Sequence, residues 1–282
     1  MQCLVGIQYK DYKAETIIEN DFSDYDEIFV INLGDVHIGN PFFCKSLFEQ
    51  TLEFIKSYPN IFVILSGDLL ENITKHSVGN MFEQVISPME QKYKIIEYLT
   101  PIKDRIIGIT TGNHESRKSN IDSDTDLTLD IAQALDIPYN PYAIINFLSV
   151  GSDIKKKNRP VYYSIHTTHG SGSGSTITSS LNVALKPTKK ISGINIFFNG
   201  HNHLKLVVEM HDRVFYSQSK TVRELDYYVV STGSYIEYGG YAAKLNLPSK
   251  ALGSIGVILS GKTHNIIPMD VSSAIEYFKN KA

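Results

Sequence analysis

Short apolar runs that stop abruptly at an aspartate, asparagine or histidine recur along this chain from Asp26 onward, with helix-patterned segments between them. EIFVINL, IFVILSGD and DRIIGITTGN are separated by FFCKSLFEQTLEFIKSY and by the stretch from Met81 to Leu99, and are followed by DTDLTLDIAQALDI. Strand runs alternating with helical periodicity predict βαβαβα, hence parallel strands covered by helices. IFVIL and IIGIT are apolar without alternation, as expected of strands buried on both faces.

The second half has a different rhythm. VYYSIHTTHG and INIFFNGHNH each end a strand in histidines, with SGSGST and a short predicted helix between them. After His203 the β-rich runs LKLVVEM, RVFYS, DYYVVSTGS, GSIGVILS and HNIIPMD predict a second, mostly antiparallel sheet packed on the first. No internal repeat or long linker divides the chain. The expected organisation is one α/β domain over 26–282, preceded by an N-terminal extension, 1–25, packed on its core.

Composition removes several alternatives. With 27 Lys+Arg against 30 Asp+Glu, the formal charge of −3 lacks the basic excess that draws a whole molecule onto nucleic acid, so any polyanion contact must be local. KKKNR and KPTKK read as solvated surface. Hydrophobic residues at 42% leave little room for long disorder. Cys3 and Cys44 follow no metal spacing and read as reduced thiols without a role. MQCLVGIQYKDYK has no secretory pattern, and no apolar stretch approaches the roughly 20 residues that cross a bilayer. A cytoplasmic protein with no membrane contact is expected, and no heptad run assigns an oligomeric state.

In open α/β sheets ligand sites form beyond the carboxyl ends of strands. Five runs end there in metal-binding side chains: Asp35 and His37, Asp68, Asn113 and His114, His169, and His201 with His203. Carboxylate, imidazole and amide oxygen suit hard or borderline cations. Each alone reads as a loop residue or cap, but five such ends in one chain argue for a shared centre.

The ordered set DVH, GD, GNHE, HG and GHNH resembles the signature blocks of the calcineurin-like metallophosphoesterases, from Asp35 to His203, a little under two thirds of the chain. NMFEQVISPMEQ before GNHESR, and THGSGSG, are most similar to the bacterial and bacteriophage branch. The resemblance implies a four-layer α/β-β/α sandwich of two mixed sheets flanked by helices. It implies two divalent ions, Mn²⁺ first, with Fe, Zn²⁺, Ni²⁺ or Mg²⁺ admitted by the same donors. It further implies that Asp35, His37 and His203 hold one ion and Asn113, His169 and His201 the other, with Asp68 shared and a metal-bridging hydroxide as nucleophile. His114 would serve the leaving oxygen. Where the common pattern has Asp three residues after the GD aspartate, this chain has Glu71, the expected orienting partner of His114.

The reaction so implied is hydrolysis of a phosphate ester, a phosphodiester in a nucleic-acid setting first. The alternatives are a nucleotide or small-molecule phosphomonoester and, below both, a non-catalytic accessory subunit of the same fold. Arg117, His76, Gly170 and Ser171 are candidates for substrate contact. Arg117 offers a planar fork for phosphate, and the segment from Gly170 to Ser175 reads equally as an anion-binding turn or a connector. His166, inside the run YYSIH, is expected to be packed or to support a ligand rather than to be one.

Overall fold

The computed structural model describes residues 12–75, 77, 80–116, 125–153, 159–172, 176–244, 246 and 248–281. Along the chain run β1 (Thr16–Phe22), β2 (Glu27–Leu33), α1 (Lys45–Ser57), β3 (Ile61–Leu65), α2 (Pro88–Leu99), β4 (Ile106–Thr110), α3 (Leu127–Leu135), β5 (Tyr139–Asn140) and β6 (Ile144–Asp153). Then come β7 (Arg159–Thr167), α4 (Ile177–Ala184), β8 (Ile196–Asn199), β9 (Leu206–Tyr216), β10 (Thr221–Ser231), α5 (Gly240–Lys244), β11 (Ile255–Ser260), β12 (Ile266–Asp270) and α6 (Val271–Lys281). Two six-stranded mixed sheets result, ordered β12-β11-β2-β3-β4-β5 and β1-β6-β7-β8-β10-β9.

The helices begin where local chemistry starts them. α2 opens on a capping box in which the Ser87 hydroxyl accepts from Glu90 N and the Glu90 carboxylate accepts from Ser87 N, with Pro88 at the first helical position. The helical pattern from Met81 is therefore interrupted: Asn80 caps a separate 3₁₀ turn, Met81–Glu83, and the residue before a proline disfavours helix. Asp126 caps α3 through Leu129 N, and Asp136, left-handed at φ 56°, ends it.

Three apolar layers hold the sandwich. On the outer face of the first sheet, Phe29, Ile31 and Val63 pack with Phe48, Ile55, Ile95, Ile131 and Phe278 of the helices. Between the sheets, Val30, Ile64 and Val257 meet Leu148, Tyr163, Ile165 and Val230. Outside the second sheet, Phe197 and Val229 pack with Ala184 of α4. Burying each large apolar side chain contributes about 1.5–3 kcal/mol. Tyr163 also crosses the sandwich, its hydroxyl donating to Ser260 O at 2.7 Å and accepting from Asn265 N at 3.0 Å.

The architecture is the expected four-layer α/β sandwich, but the second sheet is mixed rather than mostly antiparallel, with β1–β6, β7–β8 and β8–β10 parallel, and two predicted strands are allocated differently. GSIGVILS and HNIIPMD do not join the second sheet; β11 pairs antiparallel with β2 and β12 lies outside it. The reason is burial on two sides, since Val257 and Leu259 face the inter-sheet core while Ile258 faces the helices. The first sheet offers that environment, with α1, α2, α3 and α6 packed on its outer face, whereas among the described residues the second has α4. LKLVVEM and RVFYS fuse into the single strand β9. Thr16–Phe22, within the stretch set apart as an extension, pairs parallel with β6 as an edge strand. Among the described residues no helix is long and apolar enough to cross a membrane.

Candidate metal centre

Within the first sheet β2, β3 and β4 are parallel neighbours, and within the second β7 and β8 are. The five loops that follow these strands meet at one edge of the sandwich. Ladder bonding continues into them: Asp35 N donates to Gly67 O at 3.0 Å, Val36 N to Asp68 O at 2.8 Å, and Gly200 N to His169 O at 3.0 Å. Asn32 Nδ2 ties the sheets together beneath the site by donating to Asn199 O at 2.8 Å.

The backbone there is unusual. Asp35 (φ 51°), His37 (52°), Asp68 (51°), His201 (71°) and His203 (53°) all adopt the left-handed conformation. For residues with a Cβ this costs roughly 1–2 kcal/mol each and persists only where surroundings over-determine it, a pattern that concentrates at functional sites. Glycines permit the close approach. A Cβ on Gly112 would lie 2.2 Å from Asp68 Oδ1, and one on Gly200 would lie 2.6 Å from Asp35 Oδ2. The G of GN and of GH is therefore required by space, since neither Gly112 nor Gly200 has a positive φ.

The side chains form two adjoining groups. In one, His37 Nε2 lies 3.1 Å from His203 Nε2, and Asp35 Oδ1 is 3.4 Å from the latter. In the other, His169 Nε2 is 3.1 Å from Asp68 Oδ2 and 3.0 Å from Asn113 Oδ1, which is 2.6 Å from His201 Nδ1. Asp68 Oδ2 also lies 3.9 Å from His37 Nε2, so this oxygen faces both groups, while Asp68 Oδ1 accepts from His114 N at 2.8 Å. Asp35, His37 and His203, and separately Asp68, His169 and His201, offer donor atoms within 4.8 Å of one another.

The outer nitrogens of the histidines are committed elsewhere, which turns their lone pairs inward. His169 Nδ1 donates to Ser66 O at 2.8 Å, His37 Nδ1 pairs with Glu71 Oε2 at 3.1 Å, and His201 Nε2 donates to Gly172 O. Electrostatics agree with an ion-binding design. Burial would raise Asp68, but the charge of His169 beside it holds it well below the carboxylate range. Burial would lower His169, but Asp68 lifts it to about 10. Burial and the neighbouring His169 push His201 down. Two buried carboxylates stand among clustered imidazole nitrogens, His37 Nε2 and His203 Nε2 being 3.1 Å apart, and divalent cations fit this set of nitrogen and oxygen donors.

Glu71 lies against both His37 and His114. Its carboxylate turns to His37, and it is the backbone carbonyl of Glu71 that meets His114 Nδ1, at 2.6 Å. Burial raises Glu71, yet its bond to His37 holds it down to about 2. His114 Nε2 lies 3.9 Å from Asp68 Oδ2.

Gly170 lies beside His201, and Ser171 O accepts from Lys186 Nζ at 2.8 Å. His76 and Arg117 lie outside the described residues. His166 faces the outer side of the second sheet against Phe197, away from the centre. Glu115, given no role by the sequence reading, is buried and accepts from Asp68 N at 3.0 Å and Leu70 N at 2.9 Å, with burial and Asp68 pushing it up to about 7. Its signal was its place in GNHE. Asn72, also overlooked, donates to His114 O at 2.6 Å.

No protein-family model matches the chain. Over 102 residues it is 26% identical to the DNA polymerase II small subunit of Thermoplasma acidophilum, covering 34% of this chain but only 21% of that protein. Among solved structures, the NAD nucleotidase NadN of Haemophilus influenzae is 11% identical over 86% of this chain and 49% of its own, with a TM-score of 0.39. The nuclease MPE of Pseudomonas putida is 13% identical, over 85% of this chain and 87% of its own, with a TM-score of 0.34. GAP50 of Plasmodium is 12% identical, over 86% and 84%, with a TM-score of 0.46. None of these likenesses assigns a residue role.

Proposed function

We propose that this chain is a calcineurin-like metallophosphoesterase that hydrolyses a phosphodiester at two divalent ions. The observation that carries the reading is the convergence of seven candidate ligands from five strand ends, five of them on left-handed backbone. Asp35, His37 and His203 would hold one ion, Asn113, His169 and His201 the other, and Asp68 both. When bound, such a pair neutralises charge on phosphoryl oxygens and acidifies a water, and Mn²⁺ leads the candidates.

The protein's own part is positional. Asp68 keeps Oδ2 between the groups because His114 N–H anchors Oδ1. Ser66 O and the Glu71 carboxylate hold His169 and His37 in the tautomers that present Nε2 inward. His114 is held through Nδ1 by Glu71 O, and its Nε2, 3.9 Å from Asp68 Oδ2, would carry a proton to the departing oxygen. The local similarity to a DNA polymerase II small subunit supports a nucleic-acid setting. A screen of purified protein with Mn²⁺, Zn²⁺, Ni²⁺, Mg²⁺ or Fe²⁺ against aryl phosphate mono- and diesters, cyclic nucleotides and single- and double-stranded DNA tests this. Metal-dependent turnover of diesters is expected. Turnover confined to monoesters would reassign the substrate, and none with any metal would remove the catalytic reading.

A further inference from the structure

The segment between α5 and β11 returns to the metal centre and is tied to its scaffold. Gly253 N donates to Ser234 O at 2.8 Å, Leu252 bridges to Ser234, and Tyr235 N, next along, donates to Asp35 O at 3.1 Å. On this segment stands Lys250, half-buried, whose Nζ donates to Asn202 O, the carbonyl between His201 and His203. Burial pushes this ammonium below the ordinary lysine value, and the charge that opposes the shift is that of Asp35. Among the described residues that carbonyl is the one hydrogen-bond partner of the ammonium, and it does not account for a cation here. A neutral donor would satisfy Asn202 O without the cost of partly desolvating a charge. Asp35, whose charge opposes that shift, is fully buried and belongs to the candidate ligand set, which puts the ammonium within electrostatic reach of the residues that would hold the ions.

We infer that Lys250 forms a phosphate subsite beside the metal centre, binding a non-bridging phosphate oxygen of the substrate with the ammonium protons that Asn202 O does not use. The inference rests on the phosphoesterase reading and adds to it a residue from the C-terminal part of the chain, beyond the five motif blocks. Lysine binds phosphate as a point charge, and a charge-assisted hydrogen bond of this kind is worth about 10- to 100-fold in affinity.

Inorganic phosphate is the probe. Its affinity for Mn²⁺-loaded protein is measured by calorimetry for wild type, Lys250→Met, Lys250→Arg and Lys244→Met, with metal content by mass spectrometry and KM and kcat on an aryl diester. Lys250→Met should keep wild-type metal content, weaken phosphate about 10- to 100-fold and raise KM more than it lowers kcat. Lys250→Arg should recover most of the affinity, and Lys244→Met, an exposed lysine paired with Glu83, should not change it. Unaltered phosphate affinity in Lys250→Met with metals retained overturns the inference while the metal reading stands. Loss of metal in Lys250→Met also overturns it, by making the residue structural. Phosphate binding that depends on Lys250 in a wild-type protein holding no metal sustains the subsite and removes the two-metal reading instead.

Discussion

At the scale of single residues the centre depends on how each oxygen is shared. Asp68→Asn replaces Oδ2, the oxygen facing both His37 and His169, with a group that donates or binds weakly. Both ions should bind less tightly, and turnover should fall further than on loss of any terminal ligand. Metal analysis together with initial rates checks this; two tightly held ions and near-normal turnover would refute the shared position. Glu71→Gln tests a different partnership, because the carboxylate serves His37 while the main chain serves His114. Metal affinity at the Asp35–His37–His203 group should drop about 10- to 100-fold, with kcat at saturating metal nearly preserved. His114→Gln should do the converse, keeping both ions and losing roughly 10²–10⁴-fold in the chemical step. That loss should be smallest for p-nitrophenyl esters, whose leaving group departs without a proton, and largest for nucleoside esters. Equal losses on both would assign His114 to charge stabilisation.

At the scale of elements, β7 shows how one strand divides its histidines between structure and site. His169 follows its carboxyl end and turns inward, whereas His166, three residues earlier, alternates to the outer face and is 4% exposed. Burial, aided by the charge of Lys190, pushes His166 down to about 4, and among the described residues its Nδ1 has no hydrogen-bond partner. A histidine depressed below its unfolded value of about 6.5 leaves the unfolded chain binding more protons between those two values. Its contribution is therefore intact above about pH 6.5 and is lost as pH falls toward 4, by up to about 3 kcal/mol. His166→Phe, which keeps the contact with Phe197, should lose less stability than wild type between pH 7 and 4.5 in urea unfolding of metal-free protein. An unchanged difference between the two proteins would show that the imidazole is not the acid-sensitive element.

For the whole molecule, the metal centre is also a joint between sheets. Its ligands come from both sheets, and Asn32 nearby and Tyr163 at the far end are among the polar links across the sandwich. Anything that binds the folded chain alone stabilises it by mass action, about 2.7 kcal/mol at 100 times Kd. Metal should therefore raise the unfolding temperature and a chelator should lower it. The pH dependence has a definite sign. His169, raised to about 10, supports the metal-free fold fully below about pH 6.5, and that support fades as pH rises through 10. The same proton must leave when metal binds, so metal affinity and the metal-induced shift should grow from pH 6 to pH 8. Calorimetry in buffers of different ionisation enthalpy should detect the released protons; no release would mean that His169 is not a ligand.

The elements most legible in the sequence are those whose cause is local. Unalternated apolar runs announced β3 and β4 because both faces of those strands are buried, and the glycines and αL-tolerant Asp and His residues after each strand marked where the chain turns toward a site. Long-range pairing left no comparable trace. IGVIL reads the same whether it extends the second sheet or inserts beside β2, and only packing between helices and the opposite sheet decides. The candidate ligands were readable as residue types at strand ends, yet which partner each imidazole addresses was not. Glu71 meets His37 because the loops after β2 and β3 lie side by side, and Lys250 lies beside Asn202 because a segment nearly fifty residues later folds back onto β10's end. Sequence determined the local conformations and the chemical inventory, since both depend on neighbours in the chain. Tertiary structure decided the pairings, since distance between remote side chains is a property only of the packed sandwich.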